Sequence, residues 1–119
     1  MNRTTDLGLV AGGGAIGTLL RFGLDEAVGS VGDLPLSTLL VNLVGSLALG
    51  LLVGHGVSDR LRLLLGTGVI GGFTTYSAFA VQTQELGSAS EVVLSAVYPV
   101  VTVVGGFALA VLGLRWGRR

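Results

Sequence analysis

The side chains able to act on a ligand are few, neutral and set inside apolar runs. Asn42 stands near the middle of one run, with Thr38, Gly45 and Ser46 on the same face at helical spacing. Tyr76 and Phe79, three apart, share another face, with Ser77 beside them. Tyr98, Thr102 and Gly106 lie four apart, so two hydroxyls align. An amide in mid-span is costly unless it bonds another helix or faces a wet path, and both readings stand for Asn42. Amide and hydroxyl hydrogens and the positive rims of aromatic rings are donors, and donors suit an anion. A small, strongly hydrated anion needs several of them to replace its water shell. Plain packing is the competing reading of the aromatic pair.

Other chemistries lack their residues. There is no cysteine, and a single histidine, His55, cannot build a metal centre with scattered acids. No nucleophile, base or metal cluster marks an enzyme. No carboxylate lies deep in an apolar run, as a proton-coupled transporter would normally require. The formal net charge is zero, so bulk attraction to nucleic acid is not expected.

The elements that must hold these groups follow from composition. Of 119 residues, 50% are hydrophobic and only 12% charged, with a mean hydropathy of +0.82. Soluble domains carry about 25% charged residues. The solvent this chain expects is lipid. A spanning helix needs roughly 20 mostly apolar residues, and four stretches qualify: 7–24, 34–54, 61–81 and 92–114. The spacing predicts a single all-α domain of four transmembrane helices over residues 1–119, with Asp25, Glu26, Asp33, Asp59, Glu85 and Glu91 in short connections. Arg3 ahead of the first run resembles a leader, but Gly12 to Gly14 lie inside the run and apolar residues continue beyond them, so it reads as a span.

With four spans, both termini and the middle connection share one side, which carries Arg3, Arg60, Arg62, Arg115, Arg118 and Arg119; the other side has at most Arg21. Positive residues in short loops favour the cytoplasm. Both termini are therefore expected to be cytoplasmic, in a multi-pass protein of the cell membrane. Arg21, about one turn from the end of its span, can snorkel to the headgroups or hold a structural contact.

Glycine is abundant, with 21 residues, although each costs a soluble helix about 1 kcal/mol relative to alanine. In a bilayer, small residues let helices approach closely. Gly13 and Gly17, Gly50 and Gly54, and Gly68 and Gly72 have the required spacing of four, and Gly106 with Ala110 continues it. The third run, Gly66 to Thr75, differs. Gly71-Gly72 followed by two β-branched threonines predicts a helix broken at its centre, or one that merely kinks at the glycines. A break at membrane depth must be buried or line a cavity. Its freed carbonyls would make a site for a small cation.

Three segments carry a resemblance: Gly12 to Phe22 (GGGAIGTLLRF), Leu36 to Gly50 (LSTLLVNLVGSLALG) and Gly66 to Phe79 (GTGVIGGFTTYSAF). In this order, over nearly the whole chain, they resemble the Fluc/CrcB fluoride channel family. The resemblance implies two four-helix subunits packed antiparallel, with two fluoride pathways along their interface. It implies a pathway lined by Thr38, Asn42, Tyr76, Ser77, Phe79, Tyr98 and Thr102, with Arg21 matching the arginine of the first motif. It also implies a structural sodium ion at the dimer centre, held by the backbone carbonyls of Gly71 and Thr74. The activity implied is passive export of fluoride from the cytoplasm, relieving its toxicity.

Three positions depart from the pattern. Tyr76 stands for the usual phenylalanine, Ala78 for a threonine, and Gly106 lacks a hydroxyl. The arginine asymmetry predicts one fixed orientation, hence pairing with an oppositely oriented paralogue, with a homodimer as the other arrangement. A non-conducting or semi-conducting partner subunit is the alternative reading. A small four-helix multidrug exporter is a weaker one, because the first run lacks an embedded glutamate.

Overall fold

The structure is a computed structural model and describes residues 2–119. Helix α1 (Arg3–Val28) opens on Asn2, whose side chain accepts from the Thr4 N–H at 3.1 Å and so satisfies one of the donors a helix start leaves free. Helix α2 (Leu36–His55) follows a turn in which Gly29 and Gly32 take positive φ and Val31 pairs with Leu34. Gly56, in the left-handed conformation, closes α2. The third span comprises α3 (Asp59–Leu61), a π-helical stretch from Arg62 to Ile70, α4 (Gly71–Phe73) and α5 (Tyr76–Ser88). Helix α6 (Val92–Gly117) is continuous through Pro99. Among the described residues, four helical runs are long and apolar enough to cross a membrane: Arg3–Val28, Leu36–His55, Asp59–Ser88 and Val92–Gly117. The protein is a multi-pass membrane protein.

Three of the helices outrun the predicted spans, while α2 starts two residues later and ends one later than its own. Asp25 and Glu26 belong to the last turns of α1, Asp59 to α3 and Glu85 to α5, so of the acids assigned to connections only Asp33 and Glu91 lie outside helices. Hydropathy marks the lipid-facing length, whereas backbone hydrogen bonding carries a helix into the headgroup region. Twenty-six residues reach about 39 Å against a hydrocarbon core of about 30 Å. Arg21 consequently sits two turns before the end of α1, not one.

Two glycine seams bind the bundle. Gly13 and Gly17 of α1 face the π-helical stretch and α4: a Cβ on Gly68 would lie 2.9 Å from the Gly13 Cα, and one on Gly17 2.8 Å from the Phe73 N. Gly50 and Gly54 of α2 face α6, where a Cβ on Gly54 would lie 2.9 Å from the Gly117 Cα. Backbone contact on this scale substitutes for the hydrophobic drive that lipid removes. Gly113 and Gly117 complete the second seam, while Gly106 meets the Ser46 hydroxyl instead. Large apolar cores are scarce: among the described residues the buried hydrophobic ones are Val41, Leu86 and Tyr98, and Leu19, Val92 and Phe107 stand exposed along the outer faces. A soluble protein would bury those residues; here they form the outer faces of helices long and apolar enough to cross a membrane.

Candidate ion pathway

Helical dihedrals continue through both Gly71 and Gly72 and give way at Thr74 (φ −84°, ψ 159°) and Thr75 (φ −148°, ψ 122°). The glycines were the expected place for an irregularity, but both remain helical, and Gly72 packs directly on α1. A Cβ on Gly72 would lie 3.0 Å from the Gly14 Cα. Thr75 finds a full set of partners in the extended conformation, whereas Thr74 keeps the back-bond of a helical threonine. Thr74 Oγ1 donates to the Ile70 carbonyl at 3.0 Å, and Thr75 Oγ1 accepts from the Ala78 N–H at 3.2 Å, capping α5.

Asn42 reaches across from α2 to the same place. Its Nδ2 donates to the Thr75 carbonyl at 3.0 Å, and its Oδ1 accepts from the Thr75 N–H at 2.9 Å. The carboxamide thus does for Thr75 what a neighbouring β-strand would do, pairing both backbone groups of an extended residue. The amide in mid-span is satisfied, and one Nδ2 hydrogen remains for a ligand.

The rearrangement costs four carbonyls, Gly71 to Thr74, the donors a continuous helix would give them, and Gly72 keeps a long contact from Thr18 Oγ1 at 3.5 Å. In a continuous helix the Gly71 carbonyl would accept from the Thr75 N–H, and the Thr74 carbonyl from the Ala78 N–H. The first donor goes to Asn42 and the second to the Thr75 hydroxyl. Gly71 and Thr74 are the two residues expected to hold sodium. Carbonyl oxygens are the donor type a hard cation takes, although two fall short of its usual six or more ligands.

Around the clasp open two cavities. The larger, about 400 Å³, is bordered by Asn42, Gly45, Ser46, Thr74, Thr75, Tyr76, Phe79, Thr102 and apolar residues that include Phe107. The second, about 250 Å³, is bordered by Arg21, Asp25, Ser37, Thr38, Thr75 and Gln82 among others. Thr75 borders both. Thr38 and Asn42, one turn apart on α2, therefore line different cavities, with Thr75 between them.

Tyr76, 80% exposed, stands out from the bundle. Its ring centroid is 5.9 Å from that of Phe79 at 47°, and Phe79 lies 5.5 Å from Tyr98 at 42°. Tilted rings of this kind turn edges rather than faces to a shared space. Ser77 is exposed on the wall of neither cavity, its Oγ 3.3 Å from Thr75 Oγ1. Tyr98 is 1% exposed and its hydroxyl donates to Gln82 Oε1 at 3.2 Å, so it too borders neither cavity. Thr102 faces the larger cavity, yet its hydroxyl donates to the Tyr98 carbonyl at 2.7 Å. Ser46 does likewise to the Asn42 carbonyl at 2.8 Å. These hydroxyls must rotate away from their own helix before they can donate to an ion.

Several residues at the site carry no expectation from the sequence. Gln82 follows Phe79 by one turn and is polar in an apolar run, which was a usable signal. Ser37, 2% exposed, donates to Asp25 Oδ1 at 2.6 Å and ties α2 to α1; only the packing reveals it.

This geometry has relatives. The sequence profile of the family described as "CrcB-like protein, Camphor Resistance (CrcB)" matches residues 8–114. The chain belongs to the CrcB family. Among CrcB-like relatives, the "Fluoride-specific ion channel FluC 2" of Rhodococcus jostii is 46% identical over 107 residues, 90% of this chain and 94% of the relative. The "Fluoride-specific ion channel FluC" of Hyphomonas neptunium is 42% identical, covering 93% of this chain and 94% of its own length. That of Thermus thermophilus is 44% identical over 115 residues, 92% of each chain. These CrcB relatives are named as channels and not as enzymes.

Proposed function

We propose that this chain is a subunit of a fluoride-selective channel through which fluoride leaves the cytoplasm down its electrochemical gradient. Hydrogen fluoride crosses membranes as a neutral acid and dissociates in a more alkaline cytosol, so a passive anion path suffices to relieve its accumulation. One observation carries the reading. Asn42 clasps the extended Thr75 beside the tilted pair Tyr76 and Phe79 at the wall of a cavity, in a chain whose relatives are named fluoride-specific channels. The spare Asn42 hydrogen and the ring edges supply neutral donors there, and the hydroxyls of Ser46 and Thr102 supply more on rotating.

The discontinuity in the third span is functional in this reading. The freed Gly71 and Thr74 carbonyls hold a structural sodium ion once a second subunit, packed antiparallel, brings its own pair to the two-fold axis. Tyr76, 80% exposed in the single chain, gains a covering neighbour in that arrangement. The asymmetry of the arginines favours one orientation with both termini cytoplasmic, and hence an oppositely oriented paralogue as partner. A homodimer would require insertion both ways. A semi-conducting partner role draws support from Ser77 standing away from both cavities and from the inward-turned hydroxyls.

The test is fluoride efflux from liposomes containing this chain with and without a candidate partner. Efflux in either case supports a conducting assembly, and activity of the chain alone refutes the heteromeric requirement. No efflux with any partner refutes the channel reading.

A further inference from the structure

The aligned hydroxyls of Tyr98 and Thr102 read from the sequence as ion ligands, but the Tyr98 hydroxyl is committed elsewhere. It donates to Gln82 Oε1 at 3.2 Å, and the ring it terminates is 1% exposed. That ring lies 5.5 Å from the Phe79 ring at 42°, and Phe79 in turn borders the larger cavity. Gln82 and Phe79 are one turn apart on α5, while Tyr98 comes from α6. The three side chains close a loop between the two helices.

We propose that Gln82 is a positioning residue for Phe79, acting through Tyr98. The inference rests on the channel reading, in which the Phe79 ring edge faces the ion. The Tyr98 ring is held at its root by α6, where Thr102 Oγ1 bonds the Tyr98 carbonyl at 2.7 Å, and at its tip by the Gln82 amide. A ring fixed at both ends is a rigid wall, and Phe79 packs against that wall with its tilt set by it. Without the acceptor, a buried hydroxyl is left without a partner. The Tyr98 ring must then shift toward another one, and Phe79 follows.

Four variants test this in liposomes with the subunit composition that conducts: Gln82→Leu, Tyr98→Phe, the two combined, and Gln82→Glu. Gln82→Leu and Tyr98→Phe should each lower fluoride efflux by about five- to ten-fold, the range expected when one hydrogen bond fixes the geometry. The double variant should fall no further than either single one, because both break the same link. Gln82→Glu keeps the acceptor for the Tyr98 hydroxyl but adds a charge beside the second cavity, so its rescue is read from the Phe79 geometry and not from efflux. The fluoride-over-chloride permeability ratio should fall with efflux, which a simple loss of assembled protein would not produce. Fluorine NMR of a fluorophenylalanine at position 79 gives a readout independent of conduction. Its resonance should shift in Gln82→Leu and stay in place in Gln82→Glu. An unmoved resonance in Gln82→Leu, or additive losses in the double variant, would overturn the inference. An inert wild-type assembly with a shifted resonance would overturn only the channel reading.

Discussion

Replacing Asn42 by leucine, a side chain of similar volume, removes the clasp without opening a large void. Two hydrogen bonds disappear, one to the Thr75 N–H and one to the Thr75 carbonyl. A group left unsatisfied in a buried place costs about 1–3 kcal/mol, and an ordinary bond contributes about 0.5–1.5 kcal/mol net. The site is half-buried and borders cavities that admit water, so the lower part of the first range applies. Together the two bonds should hold the extended Thr75 by about 2–3 kcal/mol. Losing that preference lowers the population of the clasped geometry by roughly thirty- to one-hundred-and-fifty-fold. Fluoride efflux from liposomes should fall by a similar factor, while the α2–α6 seam, which does not involve Asn42, keeps the subunit folded. Asn42→Asp is a sharper probe. It retains the acceptor for the Thr75 N–H, but its second oxygen opposes the Thr75 carbonyl and adds a negative charge on an anion path. It should be at least as inactive. Hydrogen exchange across residues 74–79 should accelerate in both variants. Efflux within two-fold of wild type for Asn42→Leu, with unchanged exchange, would show that Thr75 needs no clasp and that the reasoning is mistaken.

Three further outcomes follow from the same geometry. Phe79→Leu removes the ring that faces both Tyr76 and Tyr98, and efflux should drop by about two- to ten-fold, one edge-on ring contributing about 0.5–1.5 kcal/mol; an unchanged elution profile on size-exclusion chromatography should accompany it. Gly54→Val forces a side chain toward Gly117 Cα, 2.9 Å from the first added carbon, and should destabilise the subunit by about 1–3 kcal/mol in detergent unfolding measured by circular dichroism. Exchange of sodium for a bulky organic cation on both membrane faces should reduce assembled, active channel if the Gly71 and Thr74 carbonyls hold a structural ion. Full activity in sodium-free vesicles would rule that ion out.

Hydropathy is written along the chain, so the four spans, the lipid-facing surface and the glycine seams were legible without coordinates. Each depends on residue type and spacing alone. Asn42 and the aromatic pair stood out for the same reason, as conspicuous polar and ring groups within apolar runs. Tertiary packing decided the rest. Gly71 and Gly72 looked like the weak point of the third span, yet both stay helical, with Gly72 packed on α1. The extended residues are Thr74 and Thr75, because Asn42 from another helix offers Thr75 a complete set of partners. Spacing of four placed Thr38 with Asn42 and Tyr98 with Thr102, but a shared helical face does not ensure a shared cavity. Thr75 parts the first pair, and Gln82 draws the Tyr98 hydroxyl away from the second. Whether a side chain meets an ion or another side chain depends on what a neighbouring helix brings opposite it, and no local pattern records that.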